Sequence, residues 1–381
     1  MRREPAAFSA DVSLGAESTH EGKAKKGREL TPAEKKICCA EIKILNDKRK
    51  EFVDFFTGIS AGMDIREFAA KHNSELGQIK NYLTKLDSFF NTVSDSYIFG
   101  HYEHDLAGMV KRSIVNIDNL LMDFEDDNFD PYTSKNLTNL KDAWDFMLLR
   151  IWDAFLRGVS KDRVPSEHRG AVDIGFLEAS LAYFEYWFRA QRSGEFLTQN
   201  GEERKCTLEL PGPLEWEAIR TKLDAEGKYV YGNTASLGNL ELNQLGNSLK
   251  SRIDATEVKL SLSIDNNDAS GEYLVVVVED DGRGMEYQHL NPRDLDNFIL
   301  LYGHSGEEST GLGLADAHTR LASCKNILRI ASKRRPEKAG ETTEVVRYEN
   351  APLLQPLGFP AGKPYGTRIE VRLPILLKQA A

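Results

Sequence analysis

Leu237-Gly-Asn-Leu-Glu-Leu-Asn-Gln-Leu-Gly-Asn-Ser-Leu-Lys250, Leu274-Val-Val-Val-Val-Glu-Asp-Asp-Gly-Arg-Gly-Met285 and Ser309-Thr-Gly-Leu-Gly-Leu-Ala315 follow one another along the chain and decide the fold. In the first stretch, leucines recur at roughly helical spacing, which predicts an amphipathic helix. Asn243, Asn247 and Lys250 then share one face, at i, i+4 and i+7. Two amides and an ammonium on one stripe suit a hard cation such as magnesium and the phosphates around it, although they also suit a plain solvated face. The second stretch is a buried strand running into Asp-x-Gly-x-Gly. Gly282 and Gly284 allow tight turns and close approach of backbone to a ligand, and Asp280 can accept a hydrogen bond from an exocyclic amine. In the third stretch Gly311 and Gly313 precede an apolar, helix-like run whose N-terminus would offer N–H groups to an anion.

In this order the three stretches resemble the N box and the two glycine boxes of the GHKL ATPase superfamily. Tyr365-Gly-Thr-Arg-Ile-Glu-Val-Arg-Leu-Pro374 resembles the closing Gly-Thr-then-strand segment of its histidine-kinase branch. The resemblance implies ATP and Mg2+ as ligands. Asn247 would coordinate the metal, Asn243 and Lys250 would face the phosphates, and Asp280 would hold the adenine amine. Gly282, Gly284, Gly311 and Gly313 would line the nucleotide, with Thr367 in the same set, and the polar stretch 286–310 would be a lid. Members that hydrolyse ATP with water resemble one another in carrying a Glu four residues before the magnesium Asn. Here that position is Asn243, which cannot take a proton, and Glu241 is a poor helical match for the Asn247 face. That favours phosphoryl transfer to a protein group over hydrolysis.

The chain has 381 residues and a net charge of −10, enough for two or three domains and unfavourable for nucleic acid or an anionic membrane. No run approaches the ~18–20 apolar residues of a membrane span, and the first residues lack a signal-peptide core. Cys38, Cys39, Cys206 and Cys324 have no metal-ligand spacing and fit a reducing, cytoplasmic setting.

Residues 1–30 read as a disordered tail. Thr31-Pro-Ala-Glu34 is a capping box that opens a helical region, 31–96, with no sensor-like pattern and no assigned role. Apolar residues at helical spacing over Tyr97–Phe124 and Ser134–Gly158 predict a helical hairpin, 97–162, of the kind that makes a four-helix bundle in a homodimer. Its first helix carries His101-Tyr-Glu-His-Asp-Leu106, and His-Asp-Leu resembles the start of the kinase H box. His104 would be the phosphoacceptor, with Asp105 orienting its imidazole and His101 the second candidate. Ala107-Gly-Met-Val110 stands where that box usually has Arg-x-Pro-Leu. Residues 171–376 would form the GHKL (Bergerat-type) ATP-binding domain, an α/β sandwich with helices on one face of a mixed sheet. The whole is thus an α+β chain. The basic, Pro- and Gly-rich stretch 333–364 departs from the family and reads by default as a solvated loop, with Arg334, Arg335 and Lys338 as a candidate docking surface.

The resemblance therefore implies a soluble, homodimeric histidine kinase. It would autophosphorylate and pass the phosphoryl group to a response-regulator aspartate on another chain. The alternatives are a nucleotide-gated interaction switch without autokinase activity and a water-hydrolysing GHKL ATPase.

Overall fold

A computed structural model of the protein describes residues 28–60, 64–96, 98–99, 106–126, 129, 131–160, 163–192, 195–197, 203–249, 253–268, 271–294, 317–336, 338, 341–350, 356–360 and 362–378. It forms two compact units that divide between Lys161 and Asp162.

The first unit is helical: α1 (Pro32–Ser60), α2 (Ile65–Thr92), α3 (Gly108–Glu125) and α4 (Pro131–Val159). The capping box at its start is formed. The Thr31 N–H donates to the Glu34 carboxylate at 2.7 Å, and the Glu34 N–H donates to the Thr31 hydroxyl at 3.3 Å. Asp64 caps α2 by accepting from the Arg66 N–H at 2.8 Å. Helix α2 lies along α3, α1 lies along α4, and α3 packs on α4. The apolar stripe of α2 (Phe68, Leu76, Ile79, Leu83, Leu86, Phe90) and that of α3 (Met109, Val110, Ile117, Leu120) are buried. Phe89 and Phe90 of α2 meet Phe155 of α4 with ring centroids 5.6 and 5.8 Å apart. The sequence pattern pointed to a bundle completed by a second copy of the 97–162 hairpin. Within one chain α1 and α2 pack on the hairpin, and its pairing with a second copy remains an expectation. Among the described residues no helix is long and apolar enough to cross a membrane.

The second unit combines helices α5 (Ile174–Arg192), α6 (Pro213–Ala225), α7 (Thr234–Ser248) and the short α8 (Tyr287–Leu290) with ten strands among the described residues. These are β1 (Gly170–Ala171), β2 (Glu195–Leu197), β3 (Glu203–Lys205), β4 (Thr207–Glu209), β5 (Lys228–Gly232), β6 (Glu257–Asp268), β7 (Gly271–Asp280), β8 (Ile327–Lys333), β9 (Val345–Glu349) and β10 (Gly366–Leu377). Strands β2 and β3 form a separate hairpin. The others form an eight-stranded mixed sheet in the order β1-β5-β10-β7-β6-β4, with β8 paired to β10 and β9 paired to β8. Only β4 and β6 run parallel among these pairs.

The apolar run Leu274–Val278 is buried on both faces, which suits a central strand. Tyr273, Val275, Val277 and Ile327 form one core cluster. Helix α7 lies on β6 and β7 and also packs against α5. It is covered nearly all round because Ala235, Ser236, Gly238, Gly246 and Ser248 are small enough for its neighbours to close in.

Candidate functional site

Three strands bring the expected nucleotide residues into one row. Across β7, β10 and β8, Asp280 stands opposite Thr367, and Thr367 stands opposite Ser332. Asp280 closes β7 and is held from two sides. The Ser248 hydroxyl, at the end of α7, donates to Oδ2 at 2.8 Å, and the Gly282 N–H donates to Oδ1 at 3.0 Å. Burial raises the Asp280 carboxyl to about 6, while these donors and the Thr367 N–H pull it back. A carboxyl in this state accepts a ligand's amine hydrogen near neutral pH. The Ser332 hydroxyl lies 3.0 Å from the Thr367 hydroxyl and accepts the Met285 N–H at 2.8 Å, which ties the row to the glycine turn.

The turn has no spare volume. A Cβ on Gly282 would overlap the Ile253 side chain, and one on Gly284 would overlap the Lys333 carbonyl. Gly284 also has φ +70°, a conformation that side chains rarely adopt. The next carboxylate serves the frame. Asp281 accepts from the Thr256 N–H at 2.7 Å, the Thr256 hydroxyl at 2.6 Å and the Glu257 N–H at 2.8 Å. Although burial acts to raise its pKa, those donors leave it below the usual carboxylate range.

Helix α7 positions the amides. Asn233 caps it, accepting from the Ser236 N–H at 2.9 Å. Asn243 and Asn247 are half-buried one turn apart, and Asn247 directly precedes the serine that holds Asp280. Glu241 lies on the other side of the helix. It is 2 % exposed, and neither carboxylate oxygen has a hydrogen-bond partner among the described residues. Burial pushes it up to about 8, so it is a neutral acid inside the protein rather than a base facing the amides.

The structure thus gathers Asp280, Gly282, Gly284 and Thr367 at one end of the sheet, with Asn243 and Asn247 on the helix that touches it. Lys250, Gly311, Gly313 and residues 295–310 of the expected lid lie outside the described residues, as do His101, His104 and Asp105, whereas Glu286–Asp294 of that stretch are described and carry α8. Ser248 and Ser332 escaped the sequence reading. Ser248 follows Asn247 directly, but nothing in a single sequence marks a serine as the partner of a carboxylate 32 residues away. Among the described residues no group of three or more His, Cys, Asp or Glu could hold a metal. Asn243 and Asn247 carry neutral amide oxygens, a donor type that suits a hard cation.

This geometry defines a sheet-and-helix domain with a half-buried carboxyl behind a glycine-walled turn. No family model matches the sequence, and no curated protein does. Among solved structures the chain is similar to the mycobacterial sensor histidine kinase MprB, with 17% identity, TM-score 0.32, and cover of 55% of this chain and 99% of that one. It is also similar to the histidine kinase domain of the Erythrobacter litoralis EL346 blue-light activated histidine kinase, with 14% identity, TM-score 0.29, and cover of 79% and 94%. Likeness at these TM-scores assigns no role to any residue.

Proposed function

We propose that the second unit binds ATP with magnesium, and that the chain is a protein histidine kinase. The observation that carries the nucleotide reading is the Asp280 carboxyl. It is half-buried, held by Ser248 and Gly282, and faced by a turn too tight for any side chain at 282 or 284. A half-buried acceptor behind a glycine wall suits a flat, amine-bearing ring such as adenine. Asn247 would give its amide oxygen to magnesium, with Asn243 and Lys250 near the phosphates. The metal, when bound, neutralises phosphate charge.

Transfer to a protein group is favoured over hydrolysis because the Asn243–Asn247 face lacks a base and Glu241 is buried, neutral and on the far side. In the reaction, an imidazole nitrogen of His104 bonds to the γ-phosphorus as the bond from phosphorus to the β,γ-bridging oxygen breaks and ADP leaves. Asp105 accepts a hydrogen bond from the other ring N–H and stabilises the positive charge that forms. A response-regulator aspartate then takes the phosphoryl group from the histidine. A nucleotide-gated switch is the second reading, favoured by Ala107-Gly-Met-Val110 in place of the usual H-box ending.

Calorimetric titration with ATP and magnesium tests the site. Wild type should bind, and Asp280→Asn and Asn247→Ala should bind at least about tenfold more weakly. Equal binding by Asp280→Asn, or no binding by wild type, would overturn the nucleotide reading.

A further inference from the structure

Arg335 belongs to the stretch 333–364, which the motifs do not cover, yet it meets three segments next to the candidate site. Its backbone N–H donates to the Arg283 carbonyl, in the glycine turn, at 2.7 Å. Its guanidinium pairs with the Asp254 carboxylate at 3.1 Å, seven residues beyond Asn247. The same guanidinium lies over the Tyr365 ring, 4.3 Å from the centroid and two residues before Thr367. Three pieces of chain far apart in sequence thus close on one side chain.

The turn itself is held on two sides. The Arg283 N–H donates to the Ile253 carbonyl at 2.7 Å, so Ile253–Asp254 forms one wall and Lys333–Arg335 the other. Asp254 has φ 59°, an unusual backbone for a residue other than glycine, and its carboxylate is spent on Arg335. The neighbouring Arg334 pairs with Glu286, just past the turn, at 3.3 Å and also with Glu341. These two arginines are therefore both engaged in ion pairs within the second unit. Arginine suits the position because its planar group can pair with a carboxylate and stack on a ring at once, which lysine cannot do.

We propose that Arg335 is a positioning residue for the nucleotide site. It clamps the Gly282–Gly284 turn between the exit of α7 and the start of β10, so that the turn is formed before ligand arrives. The proposal rests on the nucleotide reading above for its consequence, but the clamp is testable without it.

The experiment uses the full chain and four variants: Arg335→Ala, Arg335→Lys, Tyr365→Phe and Tyr365→Leu. Amide hydrogen exchange is followed over the turn in the ligand-free protein, and affinity for Mg·ADP is measured by calorimetry. Arg335→Ala and Tyr365→Leu should speed exchange at the Arg283 and Met285 amides and weaken Mg·ADP by roughly tenfold or more, with the melting temperature kept. Tyr365→Phe should match wild type, and Arg335→Lys should fall between. Unchanged exchange over the turn in Arg335→Ala would overturn the clamp. So would faster exchange spread over the whole sheet with a lowered melting temperature, because that is the mark of general destabilisation. Faster turn exchange with undiminished Mg·ADP binding would overturn the positioning role. If wild type binds no Mg·ADP, the nucleotide reading fails, and the exchange result alone decides the clamp.

Discussion

Glu241 offers a stability test that does not depend on any ligand. Its carboxyl is 2 % exposed, both oxygens lack partners among the described residues, and burial moves it from 4.5 to about 8. In the unfolded chain it titrates near its ordinary value. The folded state therefore holds a proton that the unfolded state releases between those two pH values. The folded pKa is the raised one, so stability is fully present below about 4.5 and is lost as pH rises toward 8. Each pH unit in that window costs about 1.4 kcal/mol, so about 3 kcal/mol has gone by pH 7. Glu241→Gln replaces the neutral acid by a group of nearly the same shape that does not titrate. The two proteins should be about equally stable near pH 4. At pH 7 the variant should be the more stable by about 3 kcal/mol, read as a difference in urea midpoint. Other carboxylates titrate in both proteins and cancel in the difference. Two stability curves that run parallel from pH 4 to pH 8 would refute the reasoning.

Asp280 gives the corresponding prediction for ligand. It is raised to about 6 and must be ionised to accept the amine well, so ATP affinity should fall as pH drops through 6. Ser248→Ala removes a donor that favours the ionised form, so that midpoint should move upward in calorimetric titrations between pH 5 and 8. Gly284→Ala should lower stability by about 1–3 kcal/mol, because φ +70° and the Lys333 carbonyl both oppose a side chain; chemical denaturation checks this. Phe90→Ala should destabilise the helical unit by about 3–5 kcal/mol, since its ring is 3 % exposed among Phe99 and Phe155; helix loss on heating measures it.

The parts legible in the sequence were those written in local periodicity. The helix carrying Asn243 and Asn247, the run Leu274–Val278 and the strands at 327 and 368 could be read from spacing, and the caps at Thr31 and Asp64 from residue type. Strand β5 was missed because Lys228-Tyr-Val-Tyr-Gly232 is short; pairing with β10 and with β1 makes it a strand. Strand β9 lies inside a stretch read as loop for its Pro and Gly content, and β8 supplies the pairing that forms it. The roles of Ser248 and Arg335 were invisible because each is defined by a partner distant in sequence. The packing of α1 and α2 on the hairpin was not legible for the same reason, since a stripe of apolar residues does not name the helix that covers it.

The most direct measurement of the central claim is incubation of purified protein with γ-labelled ATP and magnesium, comparing wild type with His104→Ala, His101→Ala and Asn247→Ala. The account expects acid-labile label in wild type and His101→Ala, and none in His104→Ala or Asn247→Ala. Nucleotide binding with no label on any of the four proteins would contradict it.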